Sequence, residues 1–510
     1  MAPKHFIIIQ SFLNHPETPW IFSALIHLMA AFFSFGYHHP DEHYQILEFA
    51  RHYIHANTFG AGELVPLQSN LPWEFSAQIR PWLQPFLHVI GIKFAHLFQD
   101  PKDFDPFLHA WVYRSLYGIA NVIVIRYFWN AIQKTVRPIT SSAIIKIGPW
   151  ILATLWFFPY IHVRTSSENL SGIFLTFTFA YWLLNKKTSN LKSDLFTGMG
   201  LGLAFLARYQ IALGLIGFAL YLIIQDRGFR LRQFRIFVGF IIMIGLGVIL
   251  DRVGYGQWVI TSYRYFHTNL IQGVAALYNP YPFYQYFIWI IELNPLVSIP
   301  LSWGLYRYLK KNTSNEVILF CGVFFLIHLL MTNKEYRFIF PILNLIVPFC
   351  ILGWSWDAKF FNLESIRNKL TWSIINLSFL MGSSGRIASY ALWPAFALHS
   401  FPDRNYSWIS NHADFVGHFY ETHEPVNIKT FSDLPDFTSI SELQTSDYWV
   451  LWDERSSSVD SDGIIQKLNL QCELKKSSLP VILYTLRKSL PALKRIPFQA
   501  VYFCPNRSSN

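Results

Sequence analysis

The stretch Phe234–Leu250, FRIFVGFIIMIGLGVIL, decides the fold. It carries a single charge, Arg235 near its start, and is otherwise aliphatic, aromatic or glycine. A helix needs about 20 mostly apolar residues to cross a bilayer. Working outward, runs of similar character recur at 20–36, 147–161, 168–185, 285–305, 316–331, 336–355 and 370–392. The 510-residue chain is 52% hydrophobic and only 14% charged, with mean hydropathy +0.27. A soluble domain has roughly a quarter of its residues charged. That deficit is too large to be the core of a soluble protein, so the chain reads as an α-helical polytopic membrane protein.

The net charge of +10 has its explanation in the same class, because membrane proteins gather Lys and Arg in cytoplasmic loops. No basic helix with interleaved aromatics stands apart from the spans, and nucleic acid is excluded as a partner. The N-terminus lacks a small-residue cleavage site and reads as an uncleaved anchor. Cys321 and Cys350 fall in apolar spans, whereas Cys472 and Cys504 lie in the polar C-terminal region. These last two can pair if that region is outside the cytosol, which sequence leaves open. No metal-ligand spacing occurs.

The strongly basic loops are 133–146, 185–192, 226–235, 306–315 and 356–369. With all five in the cytosol, the loops at 38–114, 164–169, 208–210, 251–285 and 332–337 share the outer face. This needs about eleven crossings, a re-entrant or interfacial helix at Trp82–Phe98, and a broken pair across 195–224 turning at Arg208-Tyr209-Gln210. Residues 1–392 then form the membrane catalytic domain, with residues 38–82 as a long first outer loop carrying interfacial helices. Residues 393–510 alternate short β-rich runs, Tyr448–Trp452 and Val481–Leu486, with Ser, Asp and Pro clusters. They read as a small outer α/β domain.

The outer loops are unusually polar: HHPDEHYQ (38–45), PWEFSAQIRPW (72–82), RTSSEN (164–169), ARYQ (207–210), DRVGYGQW (251–258), NPYPFYQY (279–286) and NKEYRF (333–338). Ionisable groups so near a span are costly unless they serve a cavity or a partner. In the first loop, Pro40 suits the opening turn of a helix. Asp41 and Glu42 follow, where the helix dipole favours acids. The helix runs to about His55, with Tyr44, Leu47, Ala50 and Ile54 as an apolar stripe and Glu48, Arg51, His52 and His55 away from it, as in an interfacial helix. Neighbours on a helix diverge by about 100°, so one carboxylate acts as base and the other orients a partner. The bland alternative is a solvated acidic helix turn. In NKEYRF, Lys334 and Arg337 lie about one helical turn apart and are expected to share a face. With Arg208, Arg80 and Arg164 they suit a lipid phosphate, the alternative being headgroup anchors.

Taken in order, HPDEHYQ, WEF…IRPW, RTSSEN, ARYQ, DRxxYGxW and NKEYRF resemble glycosyltransferase family 22. Its members are mannosyltransferases of the GT-C fold that use dolichyl-phosphate-mannose. The likeness runs from about residue 20 to about 355. The run Gly273-Val274-Ala275-Ala276-Leu277-Tyr278, with Pro280–Tyr284 after it, is most similar to members that extend the glycosylphosphatidylinositol (GPI) precursor. It departs in having Tyr-Pro-Phe for His-Pro-Trp, and Asn333 stands where His is usual. The resemblance implies an inverting displacement with Asp41 as general base and Glu42 as its neighbour. Lys334, Arg337 and Arg208 would bind the donor phosphate. His39, His43, Gln45, Trp73, Glu74, Arg80, Arg164, Glu168, Tyr209, Gln210, Tyr278 and Glu335 would line the substrate site. It implies no metal or other cofactor, and as partners a polyprenyl-phosphate-mannose donor, a glycolipid or lipid-linked glycan acceptor and the bilayer. The active face would be lumenal in the endoplasmic reticulum, or periplasmic in a bacterium with an envelope-glycan acceptor. The competing class is a flippase of lipid-linked sugars, against which stand the paired carboxylates and the lack of an internal repeat.

Overall fold

In a computed structural model, residues 15–34, 37, 39–58, 71–135, 142–188, 190–225, 230–311, 315–356, 366–386 and 396 are described. So are 407–410, 428–430, 448–453, 472–477 and 499–504. His38 and Val481–Leu486 lie outside the described residues.

The helices run in order as α1 (Thr18–Phe33), α2 (Glu48–Thr58), α3 (Trp73–Ala77), α4 (Leu83–Ala95), α5 (Pro106–Thr135) and α6 (Ser142–Thr154). Next come α7 (Phe157–His162), α8 (Ser167–Asn185), α9 (Leu191–Ala207), α10 (Ala212–Gln225), α11 (Arg230–Tyr255) and α12 (Thr261–Phe266). The last are α13 (Gln285–Leu293), α14 (Pro295–Lys311), α15 (Glu316–Leu330), α16 (Phe340–Gly353) and α17 (Ile366–Arg386). The chain divides into two compact units. One comprises residues 1–33, 39–94 and 111–384, and the other 34–38, 95–110 and 385–510.

Within the first unit, Leu231–Tyr255 and Tyr336–Gly353 are long and apolar enough to cross a membrane. They do opposite jobs. Along α11, Phe234, Phe237, Ile241, Ile242, Leu246, Ile249 and Val253 lie exposed at helical spacing, a stripe of large apolar side chains that water would penalise and lipid does not. On α16 almost every residue from Pro341 to Gly353 is buried, so it is the unit's central post. Ile21, Leu25, Met29, Phe32 and Phe33 make a similar outward stripe on α1. The chain is a membrane protein.

Where hydrocarbon surrounds a bundle, association depends on close backbone approach and polar ties rather than on water exclusion. Both are present. A Cβ on Gly198 of α9 would overlap the Ile236 carbonyl oxygen of α11, and one on Gly304 of α14 would overlap the Cys350 carbonyl oxygen of α16. A buried amide–imidazole chain joins five helices. His27 (α1) Nε2 lies 3.0 Å from His162 (α7) Nδ1, and His162 Nε2 lies 2.8 Å from Asn344 (α16) Oδ1. Asn344 then donates to Asn121 (α5) at 2.8 Å, and Asn121 donates to Asn169 (α8) at 2.9 Å. Asn169 finally donates to the carbonyls of His162 and Arg164 at 2.7 Å each. This chain fixes the 164–169 loop that opens α8.

The broken pair expected across 195–224 is present: α9 ends at Ala207, Arg208 is extended, and a 3-10 turn at Tyr209–Ile211 starts α10. The helix Leu83–Ala95 has 13 residues, about 20 Å long, short of the roughly 30 Å apolar thickness. The first loop differs from its sequence reading. Asp41 and Glu42 start a helix that passes through a π turn at His43–Leu47 into α2. Glu48 and His52, expected on a wet face, are buried. The reason is a cover of aromatic rings: Phe49 meets Phe75 and Trp82, and His52 meets Phe75. The face expected to be wet is packed against protein.

In the second unit, β1 (Ser407–Ser410), β2 (Ile428–Thr430), β3 (Tyr448–Asp453), β4 (Glu473–Ser477) and β5 (Gln499–Cys504) form a mixed sheet in the order β2-β1-β3-β5-β4. β1 runs parallel to β2 and β3, and β5 antiparallel to β3 and β4. Cys472 is bonded to Cys504, which staples the start of β4 to the end of β5.

Candidate active site

The polar loops of the first unit converge on one guanidinium. Arg337, nearly buried, places Nη2 2.7 Å from Asp41 Oδ2 and Nη1 3.4 Å from Glu168 Oε1, with Nε against Glu335 Oε2. Arg208 reaches the same Glu168 oxygen at 3.1 Å and donates to Gln210 at 2.7 Å and Ser167 at 3.2 Å. Arg80 stands 3.9 Å from Asp41 Oδ2 and 3.4 Å from Glu74 Oε1, which also accepts from Gln45 at 2.9 Å. His39 lies between acids, with Nδ1 3.3 Å from Asp41 Oδ1 and Nε2 3.5 Å from Glu335 Oε2. Four carboxylates thus face three guanidinium groups, and every arginine is already engaged.

Local structure explains the convergence. Ser166 caps α8 by accepting the Asn169 N–H, which sets Glu168 in the first helical turn. The extended residue at Arg208 interrupts a span, so its side chain turns into the protein instead of to lipid. The segment from Asn279 to Tyr281 is laced to the NKEYRF motif: Tyr281 N–H donates to Thr332 O at 3.1 Å and Lys334 N–H to Asn279 O at 3.3 Å. Gly273, at φ 72°, provides the left-handed residue that opens the Val274–Leu277 turn before it.

These groups open on a cavity of about 420 Å³, within the usual size range of small-molecule sites. His39, Asp41, Trp73, Glu74, Arg80, Arg208, Gln210, Tyr278, Glu335 and Arg337 all line it. Leu213, Phe266, Leu270, Ile327, Met331 and Phe338 make an apolar wall. Burial opposes ionisation of Asp41. Arg337, the His39 contact and Arg80 outweigh it and hold the carboxyl well below its ordinary value. Glu42 goes the other way: burial pushes its pKa up, aided by Glu168 and opposed by Arg164, Arg114 and His39.

Several expected site residues stand elsewhere. Glu42 is buried and outside the cavity wall. His43 pairs with Glu48 at 2.7 Å within the packed first loop. Arg164 is buried over the Tyr160 ring and donates to the Tyr160 carbonyl at 3.3 Å. Gln45 and Tyr209 line a small pocket of about 30 Å³ that shares Arg80, Arg208 and Tyr265 with the cavity wall. Lys334 and Arg337 do not share a helical face. Lys334 precedes the 3-10 turn Tyr336–Ile339, adjoins the Pro280–Asn333 bridge, and gives its ammonium to the Met331 carbonyl. Among the described residues no group of three or more His, Cys, Asp or Glu is placed to hold a metal ion.

The sequence profile of the Alg9-like mannosyltransferase family matches residues 18–405. The chain belongs to that family. Among curated relatives of this mannosyltransferase-family chain, "GPI alpha-1,2-mannosyltransferase 3" of Bos taurus is 24% identical over 358 residues, 69% of this chain and 59% of the relative. "GPI mannosyltransferase 3" of Candida albicans is 24% identical over 322 residues, 62% of this chain and 59% of the relative. The matched region thus spans under two thirds of these relatives' length. Among solved structures, ArnT from Cupriavidus metallidurans bound to undecaprenyl phosphate aligns over 100% of this chain and 99% of its own, with 11% identity and a TM-score of 0.47.

The family motifs do not name everything in the wall. Tyr265 and Asn269, from α12 and the π turn after it, and Asn279 are cavity residues that a search for charge passes over. The signal for them was available in the polar–aromatic run TSYRYFHTN (261–269).

Proposed function

We propose that this chain is an inverting α-mannosyltransferase, moving mannose from a polyprenyl-phosphate donor to a hydroxyl of a GPI-precursor glycolipid. The carrying observation is Asp41, a carboxylate in a cavity wall with Arg337 2.7 Å away and an apolar wall alongside. The acceptor hydroxyl gives its proton to Asp41, and its oxygen forms the new bond to the anomeric carbon. The bond from that carbon to the phosphate oxygen breaks on the opposite face, and the phosphate leaves with the electron pair. Guanidinium groups stabilise the developing charge, so the leaving group needs no strong acid.

Asp41 paired with Arg337 is a weak base, because the pairing that keeps it ionised lowers its proton affinity. A donor phosphate competes for the same guanidinium. Drawing Arg337 from Asp41 to phosphate would restore basicity at the moment the donor is bound. Trp73, half exposed beside Glu74, offers a flat face and a carboxylate, the pairing that suits a pyranose ring and its hydroxyls. The relatives' names support the GPI acceptor. The Cys472–Cys504 bond supports an oxidising compartment, such as the lumen of the endoplasmic reticulum, for the C-terminal sheet.

The test supplies purified protein with radiolabelled dolichyl-phosphate-mannose and GPI intermediates of increasing mannose number. Gain of one α-linked hexose on one intermediate supports the reading. No transfer to any of them, with label moving to another lipid or glycan, overturns the acceptor. Movement of intact donor across a vesicle membrane without bond formation overturns the enzyme.

A further inference from the structure

The geometry points to Asp251 and Tyr255, at the C-terminal end of α11, as a clamp that positions Arg80 in the cavity. This rests on the reading of Asp41 as the base. The segment Arg80-Pro81-Trp82 joins α3 to α4, and Pro81 has no N–H with which to anchor it. Its flanking peptide groups are held from the side instead. Asp251 Oδ1 accepts the Trp82 N–H at 2.9 Å, and the Tyr255 hydroxyl donates to the Arg80 carbonyl at 2.9 Å. Four residues apart, the two side chains share one helix face. The Trp82 and Tyr255 rings meet edge-on at 5.7 Å. Gly254 makes the room, since a Cβ there would overlap the Trp82 ring.

The same carboxylate holds the other end of Arg80. Asp251 Oδ2 accepts the Thr261 hydroxyl, which is hydrogen-bonded to the Tyr209 hydroxyl. The Tyr209 ring packs 5.5 Å from that of Tyr265, and the Arg80 guanidinium sits 5.7 Å over Tyr265. One buried acid therefore fixes the Trp82 peptide next to the Arg80-Pro81 pair and, through Thr261 and Tyr209, the ring beneath the Arg80 charge, while Tyr255 holds the Arg80 carbonyl. Asp251, Tyr255 and Thr261 do not line the cavity, so they are positioning residues. Their effect on chemistry passes through Arg80, 3.9 Å from Asp41. The charged groups facing Asp41 are His39, Arg80 and Arg337, with Glu168 and Glu335 on the other arms of Arg337.

Two readouts test the clamp. Tyr255→Phe keeps the ring and removes only the hydrogen bond to Arg80. With Arg80 loosened, Asp41 loses a nearby positive charge and holds its proton more tightly. The acid limb of kcat/KM then moves to higher pH by about one unit, a shift that simple loss of folded protein cannot produce. Asp251→Asn, which keeps an acceptor for the Trp82 N–H, recovers most of the kcat/KM lost in Asp251→Ala. Independently of activity, phenylglyoxal modification followed by mass spectrometry should show Arg80 reacting faster in Tyr255→Phe, while exposed Arg126 reacts as in wild type. An unmoved acid limb together with unchanged Arg80 labelling in both Tyr255→Phe and Asp251→Ala overturns the clamp. A wild type inactive with every mannose donor sinks the functional reading instead, and the labelling still decides the clamp.

Discussion

Glu168→Gln is the substitution that most directly weighs the arginine network. Glu168 is 1% exposed and shares one oxygen between Arg208 at 3.1 Å and Arg337 at 3.4 Å. At an effective dielectric of about 20, each contact is worth roughly 5 kcal/mol of Coulomb attraction before desolvation. Arg337 keeps Asp41 and Glu335, whereas Arg208 keeps only the neutral contacts Gln210 and Ser167 among those described above. The glutamine amide still offers a carbonyl acceptor, so the net cost is about 3 kcal/mol, near the lower end for a broken buried pair. In detergent, at one fixed scan rate, the apparent Tm should fall by about 3–6 °C. The donor KM should rise about tenfold as Arg208 leaves its place, with acceptor KM nearly unchanged. Wild-type Tm and wild-type donor KM together would refute the view that Glu168 organises the site.

Three further expectations follow from the same structure. Cys504→Ser opens a loop of sequence separation 32, removing about 3–4 kcal/mol of chain-entropy stabilisation; limited proteolysis should cut the C-terminal unit faster, and equal cutting rates would refute a structural role for the bond. Gly304→Leu forces a side chain into the Cys350 carbonyl of α16 and should cost about 1–3 kcal/mol or more, read as loss of monodisperse protein on size-exclusion chromatography. Because the folded pKa of Asp41 is depressed, its contribution to stability is present above the ordinary carboxylate value and lost as pH falls through the folded one. Asp41→Asn should therefore flatten the acid side of the stability profile below about pH 4, and an unchanged slope would contradict the pairing with Arg337.

Much of this was legible in residue order. Charge near spans marks side chains that cannot face lipid, so His39, Asp41, Glu74, Arg80, Arg208, Glu335 and Arg337 were recognisable as a group before any contact was known. Their pairing was not, because adjacency in sequence says little about direction. Asp41 and Glu42 are neighbours, yet one lines the cavity and the other is buried. Lys334 and Arg337 look one turn apart only if the backbone is α-helical, and a bridge followed by a 3-10 turn sends Lys334 to a carbonyl. The first loop misled for a similar reason. Its polar residues at helical spacing resemble a wet face until the aromatic rings of Phe75 and Trp82, distant in sequence, close over them. Tyr265 escaped because an uncharged ring on a short helix carries no marker of its own.

The central claim is that Asp41 takes the proton from the acceptor hydroxyl. The decisive measurement is single-turnover transfer of labelled mannose by wild type and Asp41→Asn, at saturating donor and at matched folded protein by Tm and gel filtration. The account predicts a fall in the chemical rate of about 10²–10⁴-fold, with donor binding retained because Arg337 and Arg208 remain. Transfer by Asp41→Asn within a few-fold of wild type would contradict it.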